Sequence, residues 1–308
     1  MKCVDGMRAV SVSVLMPVYN SARYLDEAIS SVLRQSHDDF ELVILDDGSN
    51  DGSSEIIRRR AESDSRIRAE FQENRGISPA LRRLVDMAAH PLLARMDSDD
   101  VAHPDRLQRQ VAFMESHPDC VAVGSRALFI DPDGDVLYPY IDWFTHEAVD
   151  EQLMRPMIGI LHPTVMMRRQ AVVDVGNYRD DFRHVEDLDL FLRLAEAGRV
   201  ANVPEILLRY RLHAKSVSHS HTLEQHLNGL RAVQAACARR SVVFERQAEL
   251  LHPRVRFEEE DELHQKWAWM ALGHGHRRVA RKHAVKAIVR NPLRRMNWVA
   301  LGCAVRGH

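Results

Sequence analysis

Three carboxylates fall within four residues at Asp97-Ser98-Asp99-Asp100. Side by side they repel one another, and burial adds a desolvation cost. A hard divalent cation, Mg2+ or Mn2+, relieves that repulsion through oxygen ligands and can bridge to diphosphate oxygens. The bland alternative is a solvated acidic turn, or a helix N-cap ahead of Pro104. A second acidic, turn-rich stretch, Asp46-Asp47-Gly48-Ser49-Asn50-Asp51-Gly52, offers acceptor-only side chains to a base or ribose. It also reads as an Asx-turn capping a helix from Ser53, with Asp51 as the cap and Asp47 left for a ligand. Glu186-Asp187 opens a helical pattern. Carboxylates there serve the helix dipole, or one acts as general base toward a hydroxyl. Asp189 reads as surface. Arg211 and His213 follow a strand-like run, where a guanidinium and an imidazole can meet a diphosphate or a metal. His162, before Pro163, reads as a core or loop histidine.

These groups act together only if the chain brings them together. Val12 to Met16 reads as a strand stopped by Pro17. Ser21 is a plausible N-cap, and Leu25, Ala28, Ile29 and Val32 share one helical face. Strands follow at Glu41–Leu45, Ile67–Phe71 and Leu92–Met96, with helices at Ser53–Ala61 and Ile77–Ala89 and another opened by Pro104. This alternation predicts an α/β fold with a Rossmann-like, mostly parallel central sheet flanked by helices. Ligands of such sheets sit beyond the carboxyl ends of the strands. Pro17–Asn20, Asp46–Gly52 and Asp97–Asp100 all lie there, so the three loops should share one crevice. Further on, Val121–Val123, Ala127–Ile130 and Ile206–Leu212 read as strands, and Glu186–Ala197 as an amphipathic helix.

The 308 residues carry a net charge of -2, so no global basic field points to nucleic acid. The cysteines Cys3, Cys120, Cys237 and Cys303 lie far apart, which suggests neither a zinc site nor a disulfide framework. No signal peptide and no membrane-length apolar run is visible, so a cytoplasmic chain is expected. A soft boundary near Ser218–Thr222 divides a domain over 1–218 from a helical extension over 219–308. From Leu263 to His308 there is no Asp or Glu, but there are ten Lys or Arg residues. Val279, Ala280, Ala284, Ile288 and Val289 read as the apolar face of a helical hairpin there. That tail is a solvated helix packed on the first domain, a peripheral contact with the anionic inner face of the plasma membrane, or a docking surface for a partner.

In order, Pro17-Val18-Tyr19-Asn20, Asp46-Asp47-Gly48-Ser49, Asn74-Arg75-Gly76, Asp97-Ser98-Asp99-Asp100, Pro104-Asp105-Arg106-Leu107, Gly176-Asn177-Tyr178-Arg179, Glu186-Asp187-Leu188-Asp189 and Tyr210-Arg211-Leu212-His213 resemble the family 2 glycosyltransferases, with the glycosyltransferase A fold. The resemblance covers roughly Ser11 to Ser218. It implies an inverting, metal-dependent transfer from a nucleotide-sugar, a UDP- or dTDP-sugar, to a hydroxyl of a glycan or lipid-linked acceptor in cell-surface polysaccharide biosynthesis. Carried over, Pro17, Val18, Tyr19, Asn20, Asp46, Asp47, Asn74, Gly76, Asp97, Ser98, Asp100 and Arg211 are nucleotide-sugar positions. Asp99 and His213 are metal positions, Asp187 is the catalytic base, and Glu186 is its neighbour in the acceptor site. The run Ile77–Leu81 departs from the family's more polar Ala, Arg and Asn. Two rival functions are a nucleotidyltransferase, which would bring a Gly-rich phosphate loop after Met16, and a non-catalytic nucleotide-sugar scaffold. No such loop is present, and Asp99 and Asp187 both are.

Overall fold

The computed structural model describes residues 10–213, 222–244 and 259–307. The chain begins β1 (Val12–Val18), α1 (Ala22–Leu33), β2 (Phe40–Asp46), α2 (Ser53–Ser63), β3 (Ile67–Phe71), α3 (Ile77–Met87) and β4 (Leu92–Arg95). It continues β5 (Val101–Ala102), α4 (Arg106–Ser116), β6 (Cys120–Ile130), β7 (Val136–Tyr140) and α5 (His146–Met154). A short 3-10 turn at His162–Thr164 leads into β8 (Met166–Arg168), α6 (Arg169–Asp174), α7 (Glu186–Ala197) and β9 (Arg199–Arg211). Four further helices are described: α8 (Thr222–Arg239), α9 (Glu260–Gly273), α10 (Arg277–Arg290) and α11 (Arg295–Arg306).

Among the described residues the strands form one sheet, in the order β3-β2-β1-β4-β8-β6-β9-β5, with β7 paired to β6. The parallel run that the alternation predicts is confined to β3, β2, β1 and β4. Beyond β4 the sheet is mixed: β8 is antiparallel to β4 and β6, while β9 is parallel to β6. Every residue of β1 is buried, as befits a central strand covered on both faces. Val14 and Met16 join the core beneath α1 and α4, and Leu15 joins the core beneath α3 and α7.

Pro17 does not stop β1, which pairs with β2 through Val18. Leu15 faces β4, accepting from the Met96 N–H, so Pro17 faces the same side. The register with β4 ends at Leu15, and the missing proline N–H therefore leaves no ladder partner unmet. The two short runs at Val121–Val123 and Ala127–Ile130 are one strand, β6. Gly124 joins them, because a Cβ there would lie 2.2 Å from Asn202 Oδ1. β9 likewise begins at Arg199 rather than Ile206. The pairing skips from Val203 to Ile206 opposite Ser125 and Arg126, so Pro204-Glu205 forms a bulge that re-enters the ladder.

The expected boundary near Ser218–Thr222 falls largely outside the described residues, as does the helix break expected near Arg254. Past it, α8 packs Ala232, Val233, Ala236 and Cys237 into the core shared with α7. Helices α9 to α11 build a separate core, where Leu263, Trp267, Val279, Ala280 and Ala304 meet Leu137 of β7. The buried face of α10 is Val279, Ala280, His283, Ala284 and Ala287, while Val289 points to solvent. Val279, Ala280 and Ala284 are thus buried as expected, and the face departs only in the last turn, where Ala287 rather than Ile288 and Val289 fits the seam between helices.

Candidate active site

Parallel pairing of β1 with β2 and β4 sets their carboxyl ends side by side, and a cleft of about 1080 Å³ opens there. Its walls include Pro17, Val18, Tyr19, Asn20, Asp47, Asn74 and Gly76, then Asp97, Ser98 and Asp99, then Glu186 and Asp187, then Arg211 and His213. All of these are residues the sequence nominates. Asp46 and Asp100 do not line it. Asp46 spends its oxygens on its own loop, accepting from the Ser49 N–H and the Ser54 hydroxyl.

The Asp47 loop is built for close approach. Asp47 Oδ1 accepts from Gln72 Nε2 at 2.7 Å and the Arg75 N–H at 2.9 Å, and Oδ2 accepts from the Gly76 N–H at 2.8 Å. One carboxylate thus fastens the Asn74-Arg75-Gly76 loop to the end of β2. Gly48 sits at φ +80°, and a Cβ there would lie 2.7 Å from the Asn74 N. Asn20 Oδ1 accepts from the Asn50 N–H, and Asp51 accepts from Ala22 N and from Ser53, so the first two loops hold each other. The Asx-turn at Asp51 is therefore present, beside Asp47 in the cleft wall. Tyr19 is exposed at the cleft edge.

At the end of β4, Asp97, Asp99 and Asp100 bring one carboxylate oxygen each within 4.8 Å of the others. Asp100 is buried; its Oδ1 accepts from the Arg211 N–H at 2.8 Å, and its Oδ2 has no hydrogen-bond partner. Burial, then the charges of Asp99 and Asp97, push its carboxyl well above the usual range. Burial also raises Asp97, against the pull of Arg95, to which it is ion-paired. His213 Nε2 lies 2.8 Å from Asp99 Oδ2. Crowded oxygens, an orphaned buried one among them, and an adjoining imidazole make a donor set that suits a hard divalent cation.

Glu186 and Asp187 begin α7 on the same cleft. Glu186 is buried with Oε2 unpartnered, and burial followed by the Asp187 charge pushes its carboxyl up to about 7. Burial also raises Asp187, whose Oδ1 accepts from the Leu188 N–H. Asp189 is not at the surface. It is buried and paired with Arg193 at 2.6 Å, and Arg193 also donates to the carbonyls of Val175 and Asn177. The pair ties α7 to the Gly176–Tyr178 turn, so Asp189 is part of the frame that aims Glu186 and Asp187.

Other residues complete the site, and among them the sequence reading passes over Arg95 and the residues of α9 and α10. Arg95 lies in an apolar run, yet it is buried, lines the cleft and faces Asp97. His162 also lines the cleft; its Nε2 is 2.8 Å from the Tyr178 hydroxyl, and burial, then Arg95, keep it neutral. Arg106, wholly buried, donates to the carbonyl of Arg95 and clamps the end of β4. Arg211 donates to the Asp99 carbonyl and to Glu27 and stands over the Tyr24 ring, joining the acidic loop to α1. Most unexpectedly, α9 and α10 wall the cleft too, through Glu260, His264, Trp267, Lys286 and Arg290.

Comparison with known proteins fits this architecture. The family model described as glycosyl transferase family 2 matches residues 13–176. The O-antigen biosynthesis glycosyltransferase WbnJ of Escherichia coli is 32% identical over 214 residues, covering 68% of this chain and 82% of its own. Mannosyltransferase PcManGT from Pyrobaculum calidifontis, in complex with GDP-Man and Mn2+, superposes with a TM-score of 0.60 at 17% identity, over 98% of this chain and 82% of that one. TarS residues 1–349 of S. aureus, in complex with UDP-GlcNAc, gives a TM-score of 0.62 at 15% identity, over 97% of this chain and 92% of that one. The matched segment spans more than half of the chain and carries the Asp47 loop and the acidic cluster: this chain is a glycosyltransferase of the glycosyltransferase A fold and belongs to glycosyl transferase family 2.

Proposed function

We propose that this enzyme transfers a sugar, with inversion, from a UDP- or dTDP-sugar to a hydroxyl of a glycan or lipid-linked acceptor in cell-surface polysaccharide biosynthesis. The observation that carries the reading is one cleft lined both by Asp97 and Asp99, whose carboxylates converge with that of the buried Asp100 behind them, and by a separate carboxylate pair with raised pKa values, Glu186 and Asp187. The first group suits a cation and a diphosphate; the second suits proton transfer. Support also comes from PcManGT, with GDP-Man and Mn2+, from TarS, with UDP-GlcNAc, and from WbnJ, of O-antigen biosynthesis.

In this reading Asp99 and His213 hold the cation, with Asp100 beside them. When bound, it compensates the charge that develops on the departing diphosphate. Asp47 and the loop it fastens receive the nucleotide, with Tyr19 at the rim. Asp187 takes the proton of the acceptor hydroxyl. The acceptor oxygen bonds to the anomeric carbon as the bond to the diphosphate oxygen breaks, and the nucleoside diphosphate leaves with that electron pair. The transition state is oxocarbenium-like, as in glycoside hydrolysis. Arg95, ion-paired with Asp97, opposes the upward pull of burial on that carboxyl.

A panel of nucleotide-sugars incubated with Mn2+ or Mg2+, reading released nucleoside diphosphate, tests the proposal. Release is expected with one donor class and to depend on metal. Asp99→Ala is expected to abolish both release and Mn2+ binding measured by calorimetry. Release unaffected by chelation would overturn the metal assignment.

A further inference from the structure

The basic tail divides into two faces. One turns inward: Lys282 binds the carboxylates of Asp131, Asp133 and Asp135, and Lys286 binds Asp133. Arg290 pairs with Glu260, and Arg294 with Glu259 and Asp261. These cations are spent within the chain.

The other face is unlike it. Helices α10 and α11 pack against each other through small residues, Ala284 against Ala300 and Arg281 onto the Ala304 carbonyl. Exposed apolar residues recur at helical spacing: Val285 and Val289 stand one turn apart on α10, and Met296 and Val299 stand one turn apart on α11. Leu293 caps the corner between them and is 94% exposed; Val289 is 75% exposed. Trp298 donates its indole N–H to the Pro292 carbonyl and so lies half-exposed against the same corner. Arg278 extends the α10 row, and Arg295 and Arg306 flank the α11 row. Among the described residues no carboxylate pairs with these three arginines, and none occurs in sequence after Glu262.

Exposed apolar side chains gathered on two adjoining helices are costly to leave in water, because removing apolar surface from water is favourable. Exposed apolar side chains with Arg278, Arg295 and Arg306 along them, none of the three paired to a carboxylate among the described residues, complement a surface that is apolar within and anionic at its edge. We infer that the α10–α11 corner is a docking surface for an anionic lipid bilayer, with Leu293 and Val289 inserted at the headgroup boundary and Arg278, Arg295 and Arg306 on the phosphates. Val289 precedes Arg290, which lines the cleft, so the exposed apolar corner and the cleft wall share the end of α10. The inference does not depend on the transfer chemistry.

Co-sedimentation of the full chain with phosphatidylcholine vesicles, and with vesicles half phosphatidylglycerol, tests it. Wild type is expected to sediment with the anionic vesicles and not the neutral ones. Val289→Glu/Leu293→Glu is expected to lose that binding by at least about ten-fold, with UDP binding unchanged as the folding control. Arg278→Glu/Arg295→Glu should weaken it by about five-fold per residue and remove most of its salt sensitivity. Wild type that ignores anionic vesicles overturns the inference. So does undiminished binding by the Glu variants. A concentration-dependent dimer that Leu293→Glu dissolves, without vesicle binding, would reassign the corner to a second copy of the chain.

Discussion

Two neighbouring carboxylates in the cleft wall, Glu186 and Asp187, carry the proton transfer of the proposed reaction, which substitution of single residues tests. A general base works best when its pKa lies near the working pH, and burial moves both groups in that direction. Asp187→Asn keeps the shape and the hydrogen bond from Leu188. It is expected to retain donor and Mn2+ binding by calorimetry while lowering transfer by about 10²–10⁴-fold; wild-type rates would remove the base assignment. Glu186 makes a separate prediction about stability. Its folded pKa, about 7, exceeds the unfolded value near 4.5, so the native state holds its proton more tightly. The stability it contributes is fully present below pH 4.5 and is lost as pH rises through 7. Metal-free Glu186→Gln should therefore gain on wild type across that window, by up to about 3 kcal/mol, in urea unfolding at pH 5 and pH 8. A difference that does not grow with pH would place the proton elsewhere.

At the scale of elements, α7 matters as much for what holds it as for what it presents. Glu186 and Asp187 point into the cleft because Asp189 and Arg193, one turn apart on the helix, lock it to the Val175–Asn177 turn. Asp189→Ala would leave the Arg193 guanidinium buried without its counter-charge. A loss of about 3–5 kcal/mol in denaturant unfolding is expected, and a loss below about 1 kcal/mol would mean the pair is solvated after all. The loop after β2 is held in a comparable way. Asp47 grips three donors, while Gly48 supplies the positive φ and the missing Cβ that let Asn74 approach. Here loop conformation and ligand contact come from adjacent residues.

For the whole molecule, the attachment of α9–α11 is the main finding. Asp131, fully buried at the end of β6, receives hydrogen bonds from His283 and Lys282, which hold its carboxyl far below the usual range despite burial. His283 in turn lies 3.0 Å from His264, a residue of the cleft wall. The hairpin is thereby joined to the catalytic sheet and to its cleft through one buried chain of polar groups. His283→Ala strips a partner from both Asp131 and His264. About 1–3 kcal/mol of stability should be lost in urea unfolding, together with weaker UDP binding by titration; an unchanged unfolding curve would show that the hairpin is held by its apolar seam alone. No helix among the described residues is long and apolar enough to cross a membrane.

Local sequence was enough for β1, β2 and β4, for the helices between them, and for the meeting of their three following loops. Period and turn chemistry are written in neighbouring residues, and parallel strands put their carboxyl ends on one side. The nominated Glu186 and Asp187 came from the same kind of signal, a helix start. What tertiary structure decided lies in pairings across long separations. Arg95 sits in an apolar run and shows its purpose only opposite Asp97; Asp189 looks solvent-facing until Arg193, itself bonded to two carbonyls, pairs with it. The basic tail is the clearest case. Its charge was plain in the sequence, but which cations are spent on Asp131, Asp133 and Glu260 and which remain outside depends on how α10 docks, and no local pattern encodes a partner about 150 residues away.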